Sequence, residues 1–478
     1  MQVKHDPFRA IDPLLLPADL LQLCRHLAAS GGRAWLVGGC VRDLLLGIPP
    51  HDYDVEVYGL HESALTTALQ QLGRCEQVGR QFGVHKLWLH GRTIDVALPR
   101  TEVKQGEGHR AFSVQSDPFL TPEIASLRRD FTINAMMYDP IHAHLLDLHG
   151  GQSDLASRTL RHVSAAFGED PLRPLRAMQF AARFSMRLAA ETGVICRALI
   201  DEATTLPGSR IREEWMKWCH AATPSYGLRA LRESGWLALY PELFALTDCP
   251  QDPRWHPEGS VWKHTLQVVD QAARIADRQG LDRHAREQLL IAALCHDMGK
   301  VDTTIRHDNG RISSPGHNLQ SLTRAGSFLR RIDFPKEMEA YISPLIREHM
   351  THMHGIASEK SVRRLAFRLQ PANIELWEML VEADASGRFP APPSRPAQEW
   401  LQLAITMQQH HHPVRRVITG RVLIDCGIEP GPAMGALLAK AYEAQLNGDF
   451  FDIDSARTWL AREIPPEEIP PEAVAPSS

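Results

Sequence analysis

The sequence lacks the cysteine pattern of a disulfide-bonded or zinc-binding scaffold. Its eight cysteines, at positions 24, 40, 75, 196, 219, 249, 295 and 426, include no Cys-x-x-Cys pair and no tight cluster, which favours a reducing compartment. It has no apolar run of about 18 residues, so no membrane span is predicted. Its N-terminus has no apolar stretch behind a basic one, so no secretory signal is predicted. These absences predict a cytoplasmic protein with no membrane partner.

An excess of charge of one sign is also missing. The chain has 52 Lys and Arg against 57 Asp and Glu, a net charge of −5, so a polynucleotide partner has to be argued from local patches. With 44% hydrophobic and 23% charged residues, the composition excludes the disordered and fibrous classes. The 478 residues suggest about three domains. The 24 histidines make a metal site worth seeking.

The pattern along the chain predicts the α+β class, with a small mixed sheet and helices at the N-terminus and helices elsewhere. Strand-like runs occur at 34–37, 53–58, 86–89 and 93–98. The predicted parts are a head domain at 18–150, helical segments at 151–245, 255–390 and 398–463, and a disordered acidic tail at 464–478. Residues 155–245 carry 12 Lys and Arg against 9 Asp and Glu, a local excess of positive charge.

Two features of the head domain indicate a phosphate and metal site. Gly38 and Gly39 lie between a strand-like and a helix-like run, where backbone can approach a phosphate closely, although a plain turn explains them too. Asp52 and Asp54 share one face of a predicted strand, and Asp95 on a later strand could join them. Adjacent carboxylates are unfavourable unless a cation joins them, and Mg²⁺ takes one or two carboxylates plus substrate phosphates. A solvated strand edge is the alternative.

Four motifs follow one another in the sequence. They are Gly-Gly-Cys-Val-Arg-Asp (38–43), Asp-Tyr-Asp (52–54), Arg-Arg-Asp-Phe-Thr-Ile-Asn-Ala (128–135) and Glu-Asp-Pro-Leu-Arg-Pro-Leu-Arg (169–176). Together they resemble the bacterial tRNA nucleotidyltransferases of the poly(A) polymerase type, the class II CCA-adding enzymes. Residues 209–215 resemble a later helix motif of the same group and are expected to have a supporting role.

This resemblance implies the roles of the acidic residues. Asp52 and Asp54 match the metal-binding, catalytic carboxylates of the superfamily, and Asp95 lies where a third acid often sits. Two Mg²⁺ ions there would stabilise the attacking and leaving oxygens of an in-line displacement at phosphorus. For Arg128 to Asp130 the alternative is a helix-cap ion-pair cluster, in which Asp130 caps a helix that continues through residue 137.

The resemblance also implies the nucleotide contacts, which are Gly39, Arg42, Arg129, Asp170, Arg173 and Arg176. Asp170 is a good N-cap, and Pro171 is favoured as the first helical residue. An Asp acceptor beside an Arg donor can read a base edge. In the resembled family this pair selects CTP and then ATP without a template, so Asp170 and Arg173 are the expected selectors and Arg176 a phosphate contact. Pro174 departs from the family pattern, and an ordinary capped helix is the alternative.

The third segment resembles the HD phosphohydrolase domain. His296 and Asp297 end an apolar helix, where adjacent His and Asp side chains can bind one ion. The resemblance implies that the metal ligands are His264, His296, Asp297 and Asp384, with His317 and His349 as further candidates. They would hold a second divalent metal of unknown identity. A packed core histidine is the alternative for any one of them.

The resulting hypothesis is an enzyme that adds C, C and A to the 3′ end of tRNA from CTP and ATP, with Mg²⁺ as cofactor. A metal-dependent phosphodiesterase or phosphatase activity in the HD domain accompanies it. The first alternative is a relative with narrower output, namely a CC-adding enzyme, an A-adding enzyme or a poly(A) polymerase. The second is an HD phosphohydrolase whose transferase half has degenerated. A non-catalytic RNA-binding protein would leave the clustered acids unexplained.

Overall fold

The structure, a computed structural model, describes residues 11–78, 83–104, 112–388, 390–391 and 394–463. This part of the chain divides into two compact units. The first runs to Phe244 and includes Arg331–Asp333, and the second comprises Ala245–Arg330 and the chain from Phe334 onward. The tail predicted at 464–478 lies outside the described residues. The finer division into five parts stays a prediction.

The first unit contains a seven-stranded mixed sheet. The strands of this unit are β1 (Arg33–Val37), β2 (Tyr53–Tyr58), β3 (Arg74–Val78), β4 (Val84–Leu89), β5 (Arg92–Ala97), β6 (Arg100–Lys104), β7 (Phe112–Ser116), β8 (Met137–Asp139), β9 (His144–Leu146), β10 (Thr159–Leu160) and β11 (Arg187–Leu188). The sheet order is β3-β4-β5-β2-β1-β8-β9, and only β2 and β5 run parallel. Strands β6 and β7 form a separate hairpin, and β10 pairs with β11.

Ten α-helices accompany these strands in the described part of the first unit. They are α1 (Ala18–Ala29), α2 (Gly39–Leu45), α3 (Glu62–Leu72), α4 (Pro122–Ser126), α5 (Gly151–Ser157), α6 (Arg173–Phe184), α7 (Ala190–Ala198), α8 (Gly208–Cys219), α9 (Pro224–Glu233) and α10 (Pro241–Phe244). Helix α6 packs against both α8 and α9. The described chain therefore passes from a sheet-based head into a helical region within one compact unit.

Alternation of side chains along β2 positions the acidic residues. Tyr53, Val55 and Val57 belong to the main apolar core of the sheet, together with Leu20 and Leu23 of α1. Because successive side chains in a strand point to opposite faces, burial of these three turns Asp54 to the other face. The predicted division of β2 into an apolar and an acidic face is confirmed at these positions.

The second unit is helical apart from one short hairpin. Its elements are α11 (Val261–Gln279), α12 (Arg283–Cys295), α13 (Lys300–Thr303), β12 (Ile305–Arg306), β13 (Ile312–Ser313), α14 (His317–Arg331), α15 (Lys336–Glu348), α16 (Glu359–Arg368), α17 (Ile374–Ser386), α18 (Gln398–Thr406), α19 (Gly420–Asp425), α20 (Pro432–Asn447) and α21 (Ile453–Glu463). Helices α11, α12 and α17 pack against one another. Among the described residues, none of the helices combines the length and the apolar character that crossing a bilayer requires.

Candidate functional site

A cavity of about 380 Å³ in the first unit, called here the arginine cavity, collects most of the predicted nucleotide residues. It is lined by Gly38, Gly39, Arg42, Asp54, Arg128, Arg129, Asp130, Asn134, Asp170, Arg173, Arg176, Phe180, Arg183 and Arg210. Seven of these are arginines and three are aspartates, so the lining favours an anion. All six predicted nucleotide contacts and the predicted metal ligand Asp54 line the cavity, whereas Asp52 and Asp95 do not.

The turn between β1 and α2 brings backbone into this cavity. Gly38 has φ +76°, a conformation that L side chains rarely adopt. A Cβ at position 38 would lie 3.3 Å from Arg129 Nη1 and 3.5 Å from Asp54 Oδ2. Glycine therefore suits this turn because of its φ, and a Cβ here would be tight against Arg129 while making ordinary contact with Asp54.

The three predicted metal-binding acids differ in their positions: two of them are paired in the sheet, and the third lies outside it. Asp54 and Asp95 are direct partners in the parallel register of β2 and β5. Asp52 instead lies one residue before β2. Its side chain is 83% exposed, with the carboxylate 3.1 Å from His51 Nδ1. The prediction that Asp52 and Asp54 both lie in the strand is wrong for Asp52, because hydrogen-bonded pairing begins only at Tyr53.

The carboxylate of Asp54 lies in a mixed electrostatic environment. Burial raises its pKa, Arg129 opposes that shift, and Asp95, Asp52 and Glu56 reinforce it. Asp54 thus combines an unfavourable desolvation with three acidic neighbours, an arrangement that a divalent cation would relieve. The donor set fits a hard, oxygen-preferring cation such as Mg²⁺.

Sequence reasoning missed Glu56, which follows Asp54 by two residues on β2. Its side chain is only 3% exposed. Glu56 Oε1 accepts from Arg128 Nη2 at 3.0 Å and lies 3.6 Å from Arg129 Nη2, while Oε2 accepts from the Tyr58 hydroxyl at 2.9 Å. The same period of two that selects Asp52 and Asp54 was the available signal. Glu56 thus holds two lining residues of the cavity, Arg128 and Arg129, in position.

Arg42 and Arg176 are held in place by acidic or amide partners. Arg42 donates to Asn134 Oδ1 at 2.5 Å and to Asp43 Oδ1 at 2.9 Å. Arg176 donates to Asp130 Oδ2 through Nε at 2.9 Å and Nη2 at 2.6 Å. Burial alone would raise the pKa of Asp130, but Arg176 and Asn134 more than offset it, so this pKa is lowered. Both guanidinium groups are therefore oriented before any ligand arrives.

The segment around Asp170 differs from the prediction. Helix α6 begins at Arg173, and Asp170 is not its N-cap. Asp170 Oδ1 instead accepts from Leu172 N at 2.9 Å in the preceding turn, which is a local bond that short acidic side chains favour. Pro171 thus lies before the helix, and Pro174 is the second helical residue, where its missing N–H costs no helical bond.

Arg173 is 9% exposed and its guanidinium is bonded to backbone. Nη1 donates to Ala166 O at 2.8 Å, and Nη2 donates to Arg128 O at 2.7 Å. These bonds connect the start of α6 to the backbone of Arg128 and of Ala166. Both Nη atoms therefore already have acceptors on the protein.

The helix-cap alternative for the segment 128–135 is wrong. A short 3-10 turn at Thr132–Asn134 is followed by strand β8 rather than by a helix. Asp130 Oδ1 accepts from Phe131 N at 2.7 Å and from Asn134 Nδ2 at 3.0 Å. Pairing of β8 with β1, which starts far away in sequence, overrides the local helical signal.

Seven lining residues were not predicted as site residues, and the last of them had only a supporting role: Gly38, Arg128, Asp130, Asn134, Phe180, Arg183 and Arg210. Arg173, Arg176, Phe180 and Arg183 recur at spacings of three and four, which places them on one face of α6. That periodicity was the available signal. Arg183 Nη2 lies 3.6 Å from Asp43 Oδ2.

The second unit contains a cluster of metal-capable side chains, called here the His–Asp cluster. Its members are His264, His296, Asp297, His317, His349 and Asp384, all six predicted ligands of the third segment. Within the described residues, ligand atoms within 4.8 Å of one another occur in the groups His264–His296–Asp297, Asp297–His317–His349 and His256–Glu258–His264. The structure thus brings five predicted ligands into two groups that share Asp297.

The sixth ligand, Asp384, joins the cluster through two histidines. Asp384 Oδ1 lies 2.9 Å from His264 Nε2 and 3.7 Å from His296 Nε2. Asp297 reaches both sides of the cluster, with Oδ2 3.3 Å from His296 Nε2 and Oδ1 3.2 Å from His317 Nε2. The two oxygens of Asp297 therefore face different histidines.

Backbone carbonyls fix the tautomer of three histidines. Nδ1 of His296, His317 and His349 lies 2.8, 2.8 and 2.6 Å from the carbonyl oxygens of Ala293, Ser314 and Ile346. Since a carbonyl can only accept, Nδ1 donates in each case and Nε2 turns inward. This orientation is typical of metal-binding histidines.

The hydrogen bonding and the protonation of the cluster show whether its residues fit a metal. Nε2 of His296 lacks a well-formed hydrogen bond within the described residues, and Oδ2 of Asp297 lies 2.7 Å from Lys300 Nζ. Burial lowers the pKa of His349 to about 3, so its imidazole is neutral and able to ligate. Burial would lower the pKa of His296, but Asp297 and Asp384 raise it to about 10, so a cation would replace a proton there. The set fits a divalent metal.

Glu258 supports the cluster and was missed from the sequence. Its Oε1 lies 3.0 Å from His264 Nδ1 and 2.8 Å from His256 Nδ1. Burial would raise the pKa of Glu258, but these two histidines lower it to about 2. An ionised carboxylate behind a histidine ligand orients its ring and increases its basicity.

A second cavity, of about 480 Å³, opens onto this cluster. It is lined by Gln251, Asp252, Trp255, His256, Asp297, Lys300, Ile312, Ser313, Ser314, His317, His349, Met350, Met353, Asp384 and Arg388. Four members of the His–Asp cluster face it. Lys300 Nζ lies 2.7 Å from Asp297 Oδ2, so a cation adjoins the centre.

Comparison with known proteins finds one matching family model in the part of the chain that holds each site. Residues 34–161 match the family model of the Poly A polymerase head domain, and residues 261–382 match that of the HD domain. The "Multifunctional CCA protein" of Xanthomonas campestris pv. campestris (strain B100) is 35% identical over 421 residues, which cover 86% of this chain and 97% of that protein. The chain belongs to the multifunctional CCA protein family. The predicted family resemblance is therefore confirmed.

Other members and solved structures agree with this assignment. The multifunctional CCA protein of Methylobacillus flagellatus is 37% identical over 367 residues, covering 74% of this chain and 84% of that protein. The crystal structure of the Bacillus stearothermophilus CCA-adding enzyme in complex with CTP matches with a TM-score of 0.64 at 20% identity, covering 93% of this chain and 96% of that one. The Thermotoga maritima CCA-adding enzyme complexed with tRNA matches with a TM-score of 0.60 at 19% identity, covering 95% and 99%. The predicted α+β fold class is confirmed.

Proposed function

We propose that this protein adds C, C and A to the 3′ end of tRNA in the arginine cavity, using CTP and ATP. The observation that carries the proposal is that one cavity holds Gly38 and Gly39, Asp54, Asp170 and seven arginines. Family membership supports it, and so does the fold shared with structures that contain CTP or tRNA.

In the proposed reaction, the 3′ hydroxyl of the tRNA loses its proton to water, and its oxygen forms a bond to the α-phosphorus of the nucleotide. The bond from that phosphorus to the β-phosphate bridging oxygen breaks, and pyrophosphate leaves. Arg42, Arg129 and Arg176 neutralise the triphosphate and hold it in line. Asp52, Asp54 and Asp95 would hold Mg²⁺, which supplies charge neutralisation at the reacting oxygens.

Base selection is proposed for Asp170 and Arg173 together. Asp170 borders the cavity and can accept from the exocyclic amino group that cytosine and adenine both carry. Arg173 donates to two carbonyls, so it holds the start of α6 in place and contacts a base only if one of these bonds is exchanged.

The tRNA is proposed to bind along the basic helical region of the first unit. Recognition there would rest on shape and backbone, with an affinity that falls as salt concentration rises. We place the protein in the cytoplasm, where its tRNA substrate is processed. This location rests on the proposed substrate and on the expectation from the sequence.

The decisive experiment uses tRNA lacking its last three nucleotides, Mg²⁺ and each labelled nucleoside triphosphate. Wild type should add C, C and A in order, and Asp54→Asn should add none. Asp201→Asn is the matched control, because Asp201 is exposed and outside the arginine cavity. Addition of C alone or of A alone would favour a narrower relative, and long poly(A) products would favour a poly(A) polymerase.

A second activity is proposed for the His–Asp cluster, a metal-dependent hydrolysis of phosphoesters. The metal would be bound by His264, His296, Asp297 and Asp384. Two further possible ligands, His317 and His349, belong to the second group, which shares Asp297 with the first. A metal held there would supply an activated water and charge neutralisation at the phosphoryl oxygen. Lys300 adjoins Asp297 and can neutralise a phosphate oxygen. Release of the coloured alcohol from simple chromogenic monoesters and diesters, with His296→Ala as the inactive variant, tests this proposal.

A further inference from the structure

Trp255 is a large apolar side chain left in solvent at the edge of a charged cavity. It is 67% exposed, and it lines the second cavity together with Asp297 and Asp384 of the His–Asp cluster. None of its neighbours in the loop 252–258 is apolar apart from two prolines. The exposure of a tryptophan at this place is not explained by packing.

The loop that carries Trp255 is fixed on both sides of it. Asp252 is 6% exposed, and its carboxylate accepts from Arg254 N at 3.1 Å and from Ile312 N at 3.2 Å. Its carbonyl accepts from Trp255 N at 3.1 Å and His256 N at 2.9 Å. On the other side, His256 Nδ1 bonds Glu258 at 2.8 Å. The backbone at Trp255 is held in this way, so ordering on binding is confined to the indole side chain.

The remaining lining of the cavity supplies what a phosphoester with a flat aromatic group requires. Lys300 and Arg388 provide positive charge, and Lys300 is further held by Gln251 Oε1 at 2.8 Å. Met350 and Met353 provide apolar surface. A phosphate at the His–Asp cluster would thus have Lys300 and Arg388 in the same cavity, and Met353 and Trp255 are available there to the group attached to it.

We propose that Trp255 is a specificity-determining residue of the HD centre, which stacks on the base of a nucleoside phosphate while the His–Asp cluster takes the phosphate. This inference rests on the proposed hydrolase function. It deepens that function by selecting nucleoside phosphates over phosphoesters that carry no base. Stacking of a base on an exposed aromatic ring suits any base, so the site discriminates base from no base rather than one base from another.

The test compares AMP with ribose 5-phosphate, which differ by the base. In the full-length, Mn²⁺-supplemented protein, Trp255→Ala should raise KM for AMP about tenfold, the scale of one base stacked on an aromatic ring. KM for ribose 5-phosphate should not change. Trp255→Phe should retain most of the preference, since a ring remains. Ile356→Ala is the matched control, because Ile356 is 85% exposed in the same unit and does not line the cavity.

Titration calorimetry with AMP on the same proteins separates two kinds of failure. If neither substrate is hydrolysed but Trp255→Ala still weakens AMP binding, the stacking role stands and the hydrolase function is refuted. If hydrolysis depends on His296 but KM and AMP affinity are the same in wild type and Trp255→Ala, the stacking role is refuted and the hydrolase stands. Equal increases in KM for AMP and ribose 5-phosphate would also refute it, since the loss would not involve the base.

Discussion

Asp54 on β2 and Asp95 on β5 are direct partners across the one parallel strand pair of the described seven-stranded sheet. Residues paired in this way point to the same face, so two carboxylates adjoin each other beside the arginine cavity. Like charges in register are unfavourable unless a partner neutralises them. Arg129 does so only in part, since the pKa of Asp54 remains raised by burial and by its acidic neighbours.

The proposed cation site predicts a strong effect of neutralising Asp54 or Asp52. Asp54→Asn should lower kcat for nucleotide addition by at least about a hundredfold, through loss of the charge that holds the cation. Asp52→Asn should lower it on the same scale with an unchanged unfolding temperature, because the side chain is 83% exposed. Single-turnover addition to truncated tRNA measures both. An active Asp52→Asn would remove Asp52 from the proposed ligand set.

Gly38 provides a test of close backbone approach. Gly38→Ala should destabilise the protein by about 1–3 kcal/mol because of its positive φ, and should also weaken CTP binding. The second effect follows from the Cβ, which would lie 3.3 Å from Arg129 Nη1 and shift this guanidinium by a few tenths of an ångström.

Gly31→Ala is the matched control for that experiment. Gly31 has φ +91°, but a Cβ at this position would have nothing within 4 Å, so the variant carries the backbone strain without the steric effect. Chemical denaturation and CTP titration should show similar losses of stability but a loss of affinity only at position 38. Equal CTP affinities in the two variants would contradict a role for the glycine turn in nucleotide binding.

The Asp130–Arg176 pair predicts how stability depends on pH. The pKa of Asp130 is lowered in the folded protein, so its contribution is complete above the ordinary Asp pKa of about 4. The contribution is lost as pH falls from there through the folded pKa. Asp130→Asn should destabilise the protein by about 3 kcal/mol at neutral pH, because it leaves Arg176 without its charged partner.

Denaturation of wild type and Asp130→Asn from pH 7 to pH 3 measures that dependence. The difference between the two unfolding free energies should shrink towards the acid end. A constant difference at all pH values would mean that the ion pair contributes nothing through its charge.

The sequence predicted structure best where the structure depends on residues within a single strand or a single motif. Strand β2 matches its predicted bounds, since alternation of Tyr53, Val55 and Val57 is a local property. The beginning of α6 was misplaced, because a bond from Leu172 N to Asp170 can close either a helix cap or a turn. Sequence pattern cannot distinguish the two.

Contacts between residues that lie far apart in the chain could not be predicted from local sequence patterns. Glu56 and Arg128 are 72 residues apart, and Arg173 reaches a carbonyl 45 residues away. The six ligands of the His–Asp cluster were predicted only through the family resemblance, because five separate helices or helix ends bring them together. Spacing along the chain contains no sign of that convergence.

The two sites should be separable by mutation of the His–Asp cluster. Asp384→Asn should abolish phosphoester hydrolysis and lower the bound divalent metal measured by mass spectrometry, while CCA addition stays unchanged. The reason is that Asp384 contacts His264 and His296 but does not line the arginine cavity. This variant keeps the side-chain shape and so limits unfolding, and His284→Ala, an exposed histidine on α12, is the control. Parallel loss of hydrolysis and nucleotide addition at an unchanged unfolding temperature would contradict two independent centres.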